Sequence, residues 1–252
     1  MTDLRDAEDT TPTLDGGVPV PIPESHPTPR VVAWAARSQV GSRRRENQDR
    51  WDHRGQQRFL LADGMGGHAD GGVAAAAACA VLRDAGVGSW RDRVVVANGA
   101  VRARAAAGAG TTVLVLEVVG GRATVVSVGD SRLYRVRAGR LEQLTEDHTL
   151  RGELLTAGID ADRHAPERQT RGLTSYLGID PRRLRVDVVD VPVAAGDRFL
   201  LCSDGIHDAV APAALVDALH TGDCAGGVEE LLAARTAAGG GDDATAIVVD
   251  VA

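Results

Sequence analysis

Two apolar, β-branched runs meet at a glycine pair in "TTVLVLEVVGGRATVVSVGD" (residues 111–130), and this stretch limits the possible folds more than any other. Each run has the length and composition of a strand, and Gly120-Gly121 supplies the positive φ angles of a tight hairpin. Similar runs recur at "VVAWAARS" (31–38), "RFLLAD" (58–63), "RLYRVRAGRLEQL" (132–144, with a second turn at "RAGR"), "RVDVVDVPV" (185–193), "DRFLLCSD" (197–204) and "ATAIVVDV" (244–251). Helical patterns are fewer and come in pairs. They cover 71–85, 89–107 with Ser89 as N-cap, 146–158 ending on a glycine, 211–220 and 227–238. Regular strand–helix–strand alternation is missing. Antiparallel sheets covered by helices therefore fit better than a doubly wound parallel sheet. Residues 157–184 show no clear element and read as a long surface loop.

The 252 residues suffice for one large domain, and with 44% hydrophobic but only 3% aromatic residues the core must be filled by Val, Leu and Ala. All 28 basic residues are arginine. Without lysine, a P-loop NTPase, a protein kinase and Schiff-base catalysis are excluded. A formal net charge of −7 argues against nucleic acid as a partner. Cys79, Cys202 and Cys224 form no CxxC pair and read as reduced, buried thiols of a cytoplasmic protein. No apolar run reaches the ~18 residues of a membrane span. Residues 1–29, rich in Pro, Thr and acidic side chains, read as a disordered leader ahead of a domain covering 30–252.

Carboxylates end several of the strands. "FLLAD" runs into Asp63-Gly64, "VSVGD" ends in Asp130, and "FLLCSD" ends in Asp204-Gly205. Asp242 and Asp243 open the last strand, and Asp49 precedes the first Asp-Gly strand. One Asp-Gly dipeptide is usually just a turn. Several carboxylates gathered at one sheet end would repel one another unless cations neutralised them, and oxygen ligands suit Mg²⁺ or Mn²⁺ rather than zinc. A glycine beside such an aspartate leaves its carbonyl open to an ion.

Eight motifs in order carry a family resemblance: "RRRENQD" (43–49), "LADGMGGHADGGVAA" (61–75), "GTT" (110–112), "VGDSRLYR" (128–135), "LTEDHTL" (144–150), "LTSYLG" (173–178), "LLCSDGIHD" (200–208) and "GGGDDATAIVV" (239–249). From about residue 35 onward the chain resembles the metal-dependent Ser/Thr protein phosphatases of type 2C, in their short bacterial form. The resemblance implies an α+β fold, an αββα sandwich of two antiparallel sheets flanked by helices, with a dimetal site at one end. It implies two Mn²⁺ or Mg²⁺ ions, with a third in some relatives. Asp63 would bridge the two ions and Gly64 would bind one through its carbonyl. Asp204 and Asp242 would complete the shell of the first ion, and Asp49 would help hold the second. Asp130 with Asp204 matches the third-ion site. Arg44 stands at the phosphate-binding position, with Arg43 and Arg45 as solvated neighbours. The implied reaction is hydrolysis of phosphoserine or phosphothreonine in proteins by a metal-activated water, without a phospho-enzyme. Phosphorylated proteins and a Ser/Thr kinase would be its partners, and the chain would act as a monomer.

The chain departs from the family pattern at two places. Gln48 replaces a glutamate, and Asp243 stands where asparagine is usual, so its charge either tunes metal binding or hydrogen-bonds locally. His68 fits a general acid or a structural role equally well, because the acid histidine of animal relatives follows Asp-Gly directly, where this chain has Met65. The segment 150–180 matches the family's flap, and its basic "RHAPERQTRG" would either steer acidic phosphopeptides or be a solvated loop. Two other functions stay open: a weakly active relative that binds phosphoproteins as a regulator, and a phosphohydrolase acting on small phosphate esters.

Overall fold

The computed structural model describes residues 28–252 except 67–69, 85, 87, 162–165 and 221. His68 and most of the expected leader lie outside the described residues. One sheet has the order β1 (Val31–Gln39), β12 (Ala244–Val251), β11 (Arg198–Cys202), β8 (Arg132–Arg137) and β9 (Arg140–Gln143). The other runs β10 (Asp187–Pro192), β7 (Arg122–Val128), β6 (Val113–Val119), β3 (Arg58–Ala62) and β2 (Arg50–Arg54). A short pair, β4 (Gly64–Met65) with β5 (Gly110–Thr111), stands apart from both. Every one of these pairings is antiparallel.

Both expected hairpins form. Gly120 and Gly121 take φ of 59° and 75° and join β6 to β7, while Ala138 and Gly139 take 48° and 77° and join β8 to β9. Two consecutive left-handed residues make the turn whose twist matches paired strands. Inward side chains of both sheets share one apolar layer that includes Phe59, Leu61, Leu114, Leu116, Leu133, Phe199, Leu201 and Ile247. Helices α1 (Asp70–Arg83) and α2 (Trp90–Arg104) cover the outer face of the β3–β6–β7 sheet through Ala74, Ala78, Val94 and Val101. On the opposite side, α6 (Pro212–His220) and α7 (Cys224–Ala237) cover β8, β11 and β12. The result is an αββα sandwich. Cys79, Cys202 and Cys224 are buried free thiols.

Ser89 caps α2 as expected: its hydroxyl accepts from Asp92 N–H, and the Asp92 carboxylate accepts in return from Ser89 N–H. Helix α3 (Leu150–Thr156) is shorter than the expected 146–158. Residues ahead of it stay extended because His148 is fully buried and bound three ways. Its backbone N–H donates to Gly129 O, its Nδ1 accepts from Gly129 N–H, and its Nε2 donates to Asp187 at 2.9 Å. Strand β2 carries no apolar run, since only Trp51 of "RWDHR" packs against the inter-sheet layer.

The segment 157–184 corrects the expectation of a surface loop. It contains a short helix, α4 (Glu167–Thr170), and a 3₁₀ turn (Pro181–Arg183). Its second half is docked: Leu177 is fully buried and exchanges two backbone hydrogen bonds with Thr111. Beyond β11, one further short helix, α5 (Asp204–His207), begins at the strand-ending carboxylate.

Candidate metal centre

Asp63 follows β3 where the sheet ends, and its backbone is pinned from both sides. Its N–H donates to the Thr112 hydroxyl at 2.9 Å, and its carbonyl accepts from Thr112 N–H and from the Thr111 hydroxyl. The "GTT" stretch thus fixes the direction of the Asp63 side chain. Burial, followed by the charges of Asp49, Asp204, Asp130 and Asp242, pushes the Asp63 pKa well above the ordinary carboxylate range. Five aspartates that are far apart in sequence therefore act on one another here, and each is one that the sequence marked.

Asp49 is 3% exposed. Its Oδ2 accepts from the hydroxyls of Ser203 (2.8 Å) and Thr245 (2.7 Å), while its buried Oδ1 has no protein partner. Burial raises its pKa to about 6, against the lowering effect of the two hydroxyls. Burial and then the Asp204 charge raise Asp130 to about 7. Asp204 is raised by burial and then by the Asp242 charge. His207 Nε2 donates to the Asp130 carbonyl at 3.0 Å, which ties α5 to the end of β7.

The two Asp-Gly dipeptides answer a need for space rather than for a turn, as neither Gly64 nor Gly205 has a positive φ. A Cβ on Gly64 would overlap Gly71 and come within 2.7 Å of Gln48 O, and a Cβ on Gly205 would overlap the Asp243 carbonyl. Backbones meet at these two points, so the segments bearing Asp49, Asp63, Asp204 and Asp242 can close on one another.

Arg44 forms a two-pronged pair with Asp242, Nε to Oδ1 and Nη2 to Oδ2, both at 2.7 Å. Asp243 is buried, and both its oxygens are taken by backbone amides, Oδ1 by Gly41 N–H and Oδ2 by Gln48 N–H, each at 2.8 Å. Of the two roles left open for Asp243, local hydrogen bonding is the one seen. Arg43 is exposed, yet it does not simply extend into solvent. Its N–H donates to Gly241 O, its guanidinium carbon would lie 2.7 Å from a Cβ at Gly241, and it lines the same cavity as Arg44 and Asp204. That cavity measures about 590 Å³.

Among the described residues, no three His, Cys, Asp or Glu side chains form a finished cation cage. The donor set nevertheless fits a divalent, oxygen-seeking ion: partly exposed carboxylates around Asp63, and on Asp49 a buried oxygen without a protein partner. Spacing alone did not point to the holding residues Thr111, Thr112, Ser203, Thr245 and His207. Ser203, Thr245 and His207 have partners, Asp49 and the Asp130 carbonyl, that lie far away in sequence.

No family model matches the chain. It is 34% identical over 236 residues to the serine/threonine protein phosphatase PstP of Mycobacterium tuberculosis, an alignment covering 88% of this chain and 45% of that protein. The chain thus spans less than half the length of that relative. It is 31% identical over 238 residues to the protein phosphatase PhpP of Streptococcus pneumoniae, covering 84% of this chain and 94% of PhpP. Among solved structures, the catalytic domain of PstP in complex with two manganese ions matches with a TM-score of 0.75 at 32% identity, covering 89% of this chain and 99% of that one.

Proposed function

The chain belongs to the metal-dependent Ser/Thr protein phosphatase family, and from that premise we propose that it hydrolyses phosphoserine and phosphothreonine monoesters in proteins, opposing Ser/Thr kinases. The observation that carries this reading is the field of four aspartates acting on Asp63. Bound Mn²⁺ or Mg²⁺ would supply Lewis acidity for water and for the phosphoryl oxygens.

In this reading Asp63, Asp49, Asp204 and Asp242 would hold two ions together with the Gly64 carbonyl, and Asp130 with Asp204 would hold a third. Ser203 and Thr245 take one oxygen of Asp49 and leave the other, buried and without a protein partner, as the one that would bind a cation. Thr111 and Thr112 keep Asp63 at the strand end. Arg44 orients two phosphoryl oxygens with its planar fork. Its fork lies on both oxygens of Asp242 here, and ion binding by Asp242 would release it for substrate. Among the described residues no helix is long and apolar enough to cross a membrane, and the buried free thiols fit a reducing cytoplasm.

Turnover of p-nitrophenyl phosphate with Mn²⁺ tests the reading. Activity should vanish with chelator and fall at least 100-fold in Asp204→Asn, on the order of 3 kcal/mol of transition-state stabilisation. Turnover that ignores the chelator, or survives in the variant, would overturn it. Phosphopeptides set against phosphorylated metabolites then separate a protein phosphatase from a small-ester hydrolase. A chain that binds phosphopeptides without turning them over would instead be a regulator.

A further inference from the structure

Three arginines, Arg43, Arg44 and Arg171, line the cavity beside Asp204. Two of them face carboxylates: Arg44 is paired with Asp242, and Arg171 of the flap with Asp208. Arg43 differs, since among the described residues its guanidinium makes no hydrogen bond or ion pair and only its backbone N–H is engaged.

An exposed arginine is ordinarily a solvated side chain with many rotamers. Arg43 has a built seat instead. A Cβ at Gly241 would collide with its guanidinium, so glycine at that position lets the flat group lie against the chain. Gly240 does the same for the stem of the buried Arg235. The "GGG" of 239–241 is therefore a floor cleared of side chains between two arginines, and it lines the cavity. Arg45, the other neighbour of Arg44, is exposed and outside that lining.

The cavity is lined by Asp204, Asp208 and Asp242 as well as by the three arginines, so an anionic peptide is drawn to it where a guanidinium is left over. We propose that Arg43 is a second anion anchor in the substrate cleft and binds the carboxylate of an acidic side chain flanking the phosphorylated residue. The planar fork of a guanidinium suits a carboxylate, and one without a protein partner has no pair to break on binding. Arg43 thereby sets a preference for acidic phosphopeptides, one residue away from the arginine assigned to the phosphate. This inference rests on the phosphatase reading above.

The test uses phosphothreonine peptides identical except for Glu or Ala at the positions on either side of the phosphoresidue. In the Mn²⁺-loaded chain the Glu peptide should have about tenfold higher kcat/KM, expressed mainly in KM. Arg43→Ala should bring the ratio of the two peptides close to one, Arg43→Lys should keep part of it, and Arg45→Ala, which removes the same charge outside the cavity, should leave it intact. Fluorescence anisotropy with thiophosphorylated versions of the peptides, which are hydrolysed slowly, reads the same preference as affinity. Lack of any metal-dependent turnover overturns the phosphatase reading. Equal affinity of the Glu and Ala peptides for the wild-type chain overturns the anchor, as does a preference that persists in Arg43→Ala or disappears equally in Arg45→Ala.

Discussion

A carboxylate with both oxygens taken by backbone amides holds geometry rather than a cation, and Asp243 is placed that way. Gly41 and Gln48, its two donors, are the ends of the segment that carries Arg44, so one side chain closes that loop. Asparagine has a single acceptor oxygen, and its NH₂ would face one of the two amides. Asp243→Asn should therefore cost about 1–3 kcal/mol in urea unfolding. It should also raise KM for phosphopeptides more than it lowers kcat, because the loop orients Arg44. A variant with unchanged KM would reduce Asp243 to a plain stability residue. Legibility at this scale depended on position. Asp63 and Asp204 stand out because each ends an apolar run. Asp49 follows no strand and was assigned through the family pattern. The role of Asp243 was readable only as one of two alternatives, since its partners are amides nearly two hundred residues away.

At the scale of elements, what the sequence hides is docking. The α2 cap was readable from Ser89, and Ser89→Ala should lower stability by about 1 kcal/mol without changing turnover. The docking of the flap was not readable, because residues 173–179 have no periodicity of their own and owe their burial to other elements. Leu177 pairs with Thr111, and Asn98 of α2, 1% exposed, accepts from Gly178 N–H at 2.7 Å and donates to Ile179 O at 3.2 Å. Asn98→Ala leaves that buried N–H without its acceptor and should cost about 1–3 kcal/mol. Hydrogen exchange locates the effect: amides of 173–179 should exchange faster while those of β6 and β7 keep their protection. Uniform acceleration over both would mean that Asn98 supports the sheet and not the flap. The β6–β7 hairpin, in contrast, was legible, since two adjacent glycines between apolar runs leave little choice of turn.

Over the whole molecule, the three apolar layers stabilise the sandwich, while the carboxylates at its end oppose folding when no cation is bound. The layers were foreseeable from the hairpins and paired helices. The pairing of β1 with β12 was not, because it joins opposite ends of the chain. The opposition has a definite sign. Asp49 and Asp130 have pKa values raised to about 6 and about 7, and Asp63 and Asp204 are raised as well. A carboxylate whose folded pKa exceeds its unfolded value binds its proton more tightly in the native state. Its contribution is fully present below the ordinary value near 4 and is lost as pH rises through the folded value. Asp187, Asp208 and Asp250 act in the opposite direction, because their lowered pKa values confine their losses to pH below 4. In chelator, the melting temperature should therefore rise by several degrees between pH 7.5 and pH 5.5. Asp63→Asn removes the most crowded of these charges and should raise the melting temperature at pH 7.5 while flattening its pH dependence. Mn²⁺ binds only the folded site, so it should raise the wild-type melting temperature progressively with the logarithm of its concentration. The same additions should do little to Asp63→Asn. Scanning calorimetry across pH and Mn²⁺ decides the matter: a chelated wild type that loses stability from pH 7.5 to 5.5, or an Asp63→Asn that melts lower at pH 7.5, would show that the aspartates are not held against their own repulsion.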